Sequence, residues 1–228
     1  MISDTPNQQP NLEGSIPNKT KATQTRFDYH NLLQVVEERG KTIYGRNFEI
    51  ADIDRPVILK LLAYFLRDEA VAVDEGIDLD KGIMLTGPIG CGKTSLMTIC
   101  RSLSFEPYRP IIISCRQVSI EFSHSGYDAL KRYTNNSFYP WTSIPRNYCF
   151  DDLGLESRVT FWGNNTNVMA ELLLSRYDYF MSHKMITHAT TNLNSQELED
   201  IYGNRLRSRM RAMFNLFAFS PETTDKRK

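Results

Sequence analysis

Apolar residues recur every three or four positions in several stretches of the chain, which predicts amphipathic helices. The clearest stretch is 57–66, where Pro56 suits the first helical turn and Asp54 is a candidate cap. A short helix is predicted over 27–39 and is expected to end at Gly40. Further helical stretches are predicted at 95–100, 116–133, 167–180 and 203–211.

Short continuous apolar runs lie between these stretches and predict β-strands. The β-branched run 111–114 is typical of a buried strand in a parallel sheet. At 228 residues, the chain is long enough for one α/β core with appendages. The predicted strands are 83–86, 111–114, 147–152, 185–190 and 216–219.

The two ends of the chain differ from this core in composition. Residues 1–25 are rich in Asn, Gln, Pro, Thr and Ser and lack aliphatic clusters, which predicts a disordered tail. A short partner-docking segment around 12–16 is the alternative interpretation. The predicted divisions are a tail at 1–25, an N-terminal helical segment at 26–81, a core at 82–220 and a polar tail at 221–228.

The strand 83–86 is followed by GPIGCGKT at 87–94, which fits the phosphate-binding pattern G-x-x-x-x-G-K-[ST]. Glycines let such a loop curve so that several backbone N–H groups meet one phosphate. Lys93 is expected to reach the β- and γ-phosphates, and the Thr94 hydroxyl to ligate Mg²⁺ at a helix N-terminus. The predicted nucleotide-binding residues are Gly87, Pro88, Ile89, Gly90, Cys91, Gly92, Lys93, Thr94 and Ser95.

The strand 147–152 ends in paired acids, Asp151 and Asp152. In P-loop ATPases the first acid of such a pair holds Mg²⁺ through water, and the second can polarise the attacking water. Asp151 is therefore a predicted metal-binding residue together with Thr94. Asp152 is a predicted catalytic residue.

Asn192 follows the strand 185–190. Ligands of open α/β sheets bind at the carboxyl ends of the strands, so Asn192 is expected beside Asp151 and the γ-phosphate. Its amide could orient the attacking water, which makes it a second predicted catalytic residue. Asn194 and Glu197 fit a helix capping box, and this structural explanation leaves Asn194 without a chemical role.

The balance of charged residues limits how this chain could bind nucleic acid. The chain has 27 Lys and Arg against 27 Asp and Glu, so it is not a globally basic protein and any nucleic-acid contact must come from a local patch. Lys131, Arg132 and Tyr133 interleave charge and aromatic rings, as single-stranded nucleic acid requires. A solvated helix face is the alternative for these three residues.

The four cysteines form no C-x-x-C pair, which favours reduced thiols in a cytoplasmic protein over disulfides or zinc. No apolar run is as long as a membrane-spanning helix, and the N-terminus has no apolar signal region. A cytoplasmic location without membrane anchoring is therefore expected.

Four motifs occur in a fixed order in this chain: the loop 87–94, FDDLG at 150–154, TTNL at 190–193, and Gly203-x-Arg205-x-x-Ser208-Arg209-Met210. Taken together they resemble the AAA+ ATPases of the initiator clade. The similarity is greatest to DnaC-type helicase loaders and their IstB-type transposition relatives, and it runs over about 48–219.

This resemblance implies an α/β P-loop NTPase with an AAA+ core and a five-stranded parallel sheet between helices. The chain departs from the usual family pattern because no C-terminal lid is expected after about Phe219, as in lidless loaders. The resemblance also implies ATP with Mg²⁺, Asn192 as sensor 1, and a homo-oligomer in which an arginine finger enters the neighbouring subunit's site. Arg209 is the expected finger and Arg205 the second candidate. Arg176 lies where the family often has arginine, although a surface ion pair would explain it equally well.

Three functions remain open at this point. The first is an oligomerising ATPase that acts on DNA, including single-stranded DNA, with a replicative helicase or a transposase as partner. The second is a small-molecule kinase, which would need a lid with inward arginines and an acceptor motif, and neither is found in the sequence. The third is an ATP-gated binding module with little turnover. The arginines of 203–211 favour the first, because a monomeric enzyme has no use for a finger.

Overall fold

A computed structural model describes residues 27–156, 159–161 and 164–227 of the chain. The predicted disordered tail at 1–25 lies outside the described residues. Within the described residues, no helix is both long enough and apolar enough to cross a membrane.

In chain order the strands are β1 (Gly82–Thr86), β2 (Ile111–Ser114), β3 (Tyr148–Leu153), β4 (Val159–Phe161), β5 (Asn164–Thr166), β6 (Thr187–Thr191) and β7 (Phe214–Ala218). The predicted parallel sheet is present and has five strands in the order β2-β3-β6-β1-β7, each paired parallel to its neighbours. Two further strands, β4 and β5, form a separate antiparallel pair that the apolar pattern does not predict.

Helices cover both faces of the sheet. They are α1 (Tyr29–Tyr44), α2 (Arg55–Phe65), α3 (Glu69–Asp74), α4 (Lys93–Arg101), α5 (Cys115–Ser125), α6 (Tyr127–Lys131), α7 (Val168–His183) and α8 (Ser195–Met213). Side chains of β1 alternate between the faces, as in any strand. Ile83 and Leu85 pack in one apolar cluster with α1, α2 and α4, and Met84 packs in the other with α5, α7 and α8. The fold is therefore a three-layer α/β structure with the sheet in the middle.

Two predicted helix ends are wrong for identifiable reasons. Gly40 does not end the first helix, because it lies inside α1, where an added Cβ would sit 2.1 Å from a ring carbon of Phe48. The helix ends instead at Gly45, whose φ of 103° favours glycine. The predicted helix 116–133 is divided by Gly126, which has φ 57° and separates α5 from α6.

The strand 111–114 forms as predicted, but it is not a buried central strand. As β2 it occupies one edge of the sheet, and Ile111 is 41% exposed. An apolar run shows that a segment pairs in a sheet, whereas its place in the strand order depends on contacts far away in the sequence. The capping box at the start of α8 is confirmed, with Asn194 and Glu197 making both of its hydrogen bonds.

Arg176 forms no surface ion pair, because its side chain is fully buried in α7. It donates to Thr187 Oγ1 at 2.7 Å, to the Ile186 carbonyl at 2.8 Å and to the Tyr133 carbonyl at 2.5 Å. Burial lowers its pKa to about 9. Arg176 therefore joins α7, β6 and the chain after α6 by satisfying backbone carbonyls inside the core.

His188 is a buried histidine in β6 whose neutral form the fold requires. Its Nδ1 accepts the Ile83 N–H at 3.1 Å, the rings of Tyr64 and Phe65 pack against it, and burial lowers its pKa from the ordinary 6.5 to about 3. An unfolded chain binds a proton at His188 below pH 6.5, whereas the folded chain does not until about pH 3. The free energy of unfolding therefore decreases as the pH falls through this window, by the amount that the neutral form of His188 contributes.

We expect the decrease in the free energy of unfolding to approach about 1.4 kcal/mol per pH unit between roughly pH 6.5 and 5. Most carboxylates titrate below this range and so contribute little to the slope there. Chemical denaturation across that range measures it. The variant His188→Gln keeps an acceptor for Ile83 and should show a flatter profile, whereas His124→Gln, at an exposed position, should not. Equal slopes in all three proteins would show that His188 does not set the dependence.

Candidate nucleotide-binding site

A cavity of about 840 Å³ opens at the carboxyl ends of the central strands, where ligands of open α/β sheets bind. One wall is the loop between β1 and α4 with the first turn of α4. The segment 44–51 and residues 224–227 also line the cavity. The volume lies within the range of small-molecule and cofactor sites, which is about 300–1,000 Å³.

The predicted P-loop forms the turn into α4. Gly90 and Gly92 have φ values of 77° and 98°, which ordinary side chains rarely adopt. Lys93 begins α4 and is 5% exposed. Its ammonium donates to the carbonyls of Gly87 at 3.0 Å and Pro88 at 2.9 Å, and to Asn192 Oδ1. The loop therefore holds this cation at the edge of the cavity.

Thr94 and Asp151, the two predicted metal-binding residues, are in direct contact. The Thr94 hydroxyl donates to the Asp151 carboxylate, with oxygen distances of 2.9 and 3.0 Å, and Thr190 donates to it at 2.6 Å. A hydroxyl and a carboxylate are ligands that Mg²⁺ prefers when phosphate oxygens and water complete its shell. The described residues contain no cluster of three or more His, Cys, Asp or Glu that could hold a metal ion.

Asp152 is aimed into the cavity by an irregularity in β3. The pairing of β3 with β6 shifts register between Phe150 and Leu153, and Asp152 has φ 58°. Its backbone N–H donates to Thr190 Oγ1 at 2.9 Å, which fixes the turned conformation. Burial and the neighbouring Asp151 raise the pKa of the Asp152 carboxyl, while Lys93 and Arg227 partly oppose this. The strained backbone places a carboxylate where a straight strand would not.

Asn192 follows β6 and lies beside the P-loop rather than in contact with Asp151. Its Oδ1 accepts from the Lys93 ammonium, and its side chain lines the cavity together with that of Asp152. The structure thus brings Lys93, Thr94, Asp151, Asp152 and Asn192 together, although their roles toward a nucleotide stay predictions.

The two predicted finger residues, Arg205 and Arg209, lie on α8 after a break at Gly203, which has φ 76°. Neither lines the cavity of its own chain among the residues the structure describes. Arg205 is exposed, and the guanidinium carbon of Arg209 lies 4.9 Å from the centre of the Tyr177 ring. Both side chains are thus outside their own cavity, and a role at a neighbour's site stays a prediction.

Comparison with solved structures identifies the fold. The chain superposes on the DnaC helicase loader with a TM-score of 0.54 and 19% identity, covering 76% of this chain and 94% of that one. It superposes on DnaI with a TM-score of 0.51 and 19% identity, covering 75% and 88%. This is an AAA+ P-loop NTPase fold. No family model matches the sequence, and no curated protein matches it.

Of the three residues predicted to bind nucleic acid in this AAA+ fold, Lys131 and Arg132 are exposed to solvent and Tyr133 is not. Tyr133 is fully buried and its hydroxyl donates to Glu121 at 2.7 Å, so the predicted stacking of its ring on a base is wrong. Lys131 and Arg132 are exposed, but they pair with Asp128 at 2.5 Å and Glu121 at 3.6 Å. The exposed aromatic side chains of this region are instead Tyr127 and Trp141.

Two parts of the cavity wall were not predicted from the sequence. The segment 44–51 has no nucleotide motif, and it comes to the cavity because α1 extends past Gly40. The segment 221–227, predicted as a polar tail, packs against the P-loop instead of projecting from the core. The adjacent cations Lys226 and Arg227 were the available signal, but cations near a chain end are usually solvated.

Proposed function

We propose that this chain is a Mg²⁺-dependent, ATP-binding and ATP-hydrolysing AAA+ protein that acts on DNA in the manner of a helicase loader. The observation that carries the proposal is the contact of Thr94 with Asp151 beside the buried Lys93 ammonium, at the edge of a nucleotide-sized cavity. A hydroxyl and carboxylate for Mg²⁺ next to a lysine for phosphate is the donor set that a metal-bound triphosphate needs.

Each group has a separate role in this proposal. Lys93 gives up a carbonyl contact to bind the β- and γ-phosphates as a point charge. Thr94 and Asp151 hold Mg²⁺, which would neutralise charge on the phosphates when bound. Asp152 accepts a proton from the attacking water, and Asn192 orients that water beside the γ-phosphate. The raised pKa of Asp152 suits a base better than a fully solvated aspartate would.

The cation that stabilises charge in the transition state comes, in this proposal, from a neighbouring subunit. Arg209 is the first candidate and Arg205 the second. Their position outside their own cavity supports action in trans, because an arginine that acts in cis has to reach its own phosphates. A head-to-tail homo-oligomer would supply each site with the arginine of the next subunit.

DNA and a replicative helicase are the proposed partners, and a transposase is the alternative. Support comes from the fold shared with two proteins, one of them named as a helicase loader, and from the exposed cations Lys131 and Arg132. Single-stranded DNA is the proposed form, and Lys131 and Arg132 would contact its phosphates, since the Tyr133 ring is buried and does not stack on bases. All four cysteines are free and buried, which agrees with a reducing compartment such as the cytoplasm.

The variant Asp152→Asn tests the hydrolytic part of the proposal. We expect ATP affinity to stay within about 2-fold while turnover falls about 100-fold, because the amide cannot accept a proton from water.

In the unmodified chain turnover should fall as the pH is lowered through the raised pKa of Asp152, since only the ionised carboxylate is a base. Single-stranded DNA added to the same assay is expected to raise turnover.

The matched control is Asp74→Asn, which removes an exposed carboxylate at the end of α3, away from the cavity. It should bind and hydrolyse ATP like the unmodified chain. Equal turnover in Asp152→Asn and the control would remove Asp152 from the chemistry. ATP binding without any turnover in the unmodified chain, with or without DNA, would favour an ATP-gated binding module.

A further inference from the structure

The C-terminal segment Pro221–Arg227 is attached to the body of the protein beside the cavity by a partly buried ion pair between Lys226 and Asp54. Asp54, just before α2, is completely buried, and its side chain makes no capping hydrogen bond, contrary to the sequence prediction. Its carboxylate accepts from the Thr223 hydroxyl at 2.9 Å and from the Lys226 ammonium. Since a buried carboxylate needs such partners, this end of the chain is fixed to the body of the protein.

The same segment lies directly on the P-loop. The backbone N–H of Lys226 donates to the carbonyl of Gly90 at 3.0 Å. A Cβ added at Gly90 would lie 1.9 Å from Asp225 Oδ1, so the segment approaches the loop as closely as a glycine permits. Residues 224–227 consequently form part of the cavity wall beside Lys93 and Asp152.

The two cations of this segment differ in their partners. Lys226 is paired with Asp54, and its side chain is 31% exposed. Arg227 is exposed, and within the described residues its guanidinium has no hydrogen bond or ion pair. It lines the cavity together with Lys93 and Asp152. An unpaired guanidinium at a cavity wall is a donor for phosphate oxygens.

We propose that Arg227 binds the terminal phosphates of the nucleoside triphosphate in cis, held in place by the attachment of its segment to Asp54 and Gly90. This inference rests on the proposed function, because it assigns a further residue to the same ATP site. It differs from the finger proposal, since Arg209 serves a neighbouring subunit whereas Arg227 serves its own. Arg227 shares the cavity lining with Asp152 and Asn192, the residues proposed to act at the γ-phosphate, so the terminal phosphate is its expected ligand.

Titration of the full chain with Mg²⁺-ATP and with Mg²⁺-ADP tests the proposal. Arg227→Ala should weaken ATP binding about 10-fold or more and ADP binding much less, because a charge-assisted contact to the γ-phosphate is lost. Arg227→Lys should recover part of the ATP affinity. Arg211→Ala, which removes an exposed arginine of α8 outside the cavity, should leave both affinities unchanged.

Three outcomes would overturn the proposal. Equal ATP affinity in Arg227→Ala and Arg211→Ala would show that Arg227 does not contact phosphate. Tighter ATP binding by Arg227→Ala, or by a chain that ends at Ser220, would show that the segment blocks the cavity instead. Failure of the unmodified chain to bind ATP would remove the proposed function as well, so the two failures are distinguishable.

Discussion

Replacing Lys93 with alanine is expected to abolish ATP binding, with affinity reduced by at least about 100-fold. The ammonium is buried at the edge of the cavity and is the cation that the P-loop itself provides for phosphate. Asp151 and Asp152 already place two carboxylates in the site. Without the Lys93 ammonium, one positive charge fewer would offset the repulsion between these carboxylates and the triphosphate. Calorimetric titration with Mg²⁺-ATP measures the loss.

This variant needs a control for folding, because the carbonyls of Gly87 and Pro88 lose a donor. Thermal unfolding of Lys93→Ala should show that the fold is kept. Lys60→Ala removes a surface lysine that pairs with Glu75 at 3.2 Å, and it should bind ATP normally. A folded Lys93→Ala protein with the affinity of Lys60→Ala would contradict the assignment of the site.

Arg209→Ala is expected to bind ATP normally and to hydrolyse it about 1,000-fold more slowly, which is the usual size of an arginine-finger effect. The charge that develops on the γ-phosphoryl group needs a cation in contact, and this effect appears in turnover rather than in ground-state affinity. The Tyr177 ring under Arg209 is expected to keep the guanidinium in a defined position. Steady-state phosphate release, measured beside an ATP titration, separates the two quantities.

Arg211→Ala is the matched control, since it removes an exposed arginine from the same helix two positions away. Arg205→Ala is expected to behave like Arg209→Ala with a smaller effect. Wild-type turnover by Arg209→Ala together with slow turnover by Arg205→Ala would transfer the role to Arg205. Normal turnover by both would leave these arginines as surface or DNA-contacting charges.

Much of the candidate site could be predicted because its signals are local. The P-loop pattern depends on glycines and a lysine within eight residues, and Asp151 and Asp152 directly follow an apolar strand. Such short patterns specify both a backbone turn and a side-chain chemistry. The strand order depends on contacts between distant segments. The parallel sheet could nevertheless be predicted, because strands alternate with helices along the chain and because the motifs resemble a family with such a sheet.

The features that the sequence did not predict depend on contacts between distant segments. Nothing near Tyr133 shows that its ring lies in the core, and nothing near Arg176 shows four segments meeting around it. Asp54 fits a helix cap locally, but its carboxylate instead accepts hydrogen bonds from Thr223 and Lys226, which lie 169 and 172 positions later in the chain. Local propensity gives way where tertiary contacts satisfy a buried polar group better.

The central claim is that ATP is hydrolysed at a P-loop site completed by the neighbouring subunit, and mixing two inactive variants tests it most directly. Lys93→Ala and Arg209→Ala, each inactive alone, should regain turnover when combined, because intact Arg209 from one subunit completes the intact P-loop of the other. In an equimolar random head-to-tail assembly about a quarter of the interfaces would be productive. Lys93→Ala mixed with the Lys93→Ala/Arg209→Ala double variant should stay inactive. The claim would be contradicted if Arg209→Ala alone hydrolysed ATP at the wild-type rate and the mixture were no more active than its separate components.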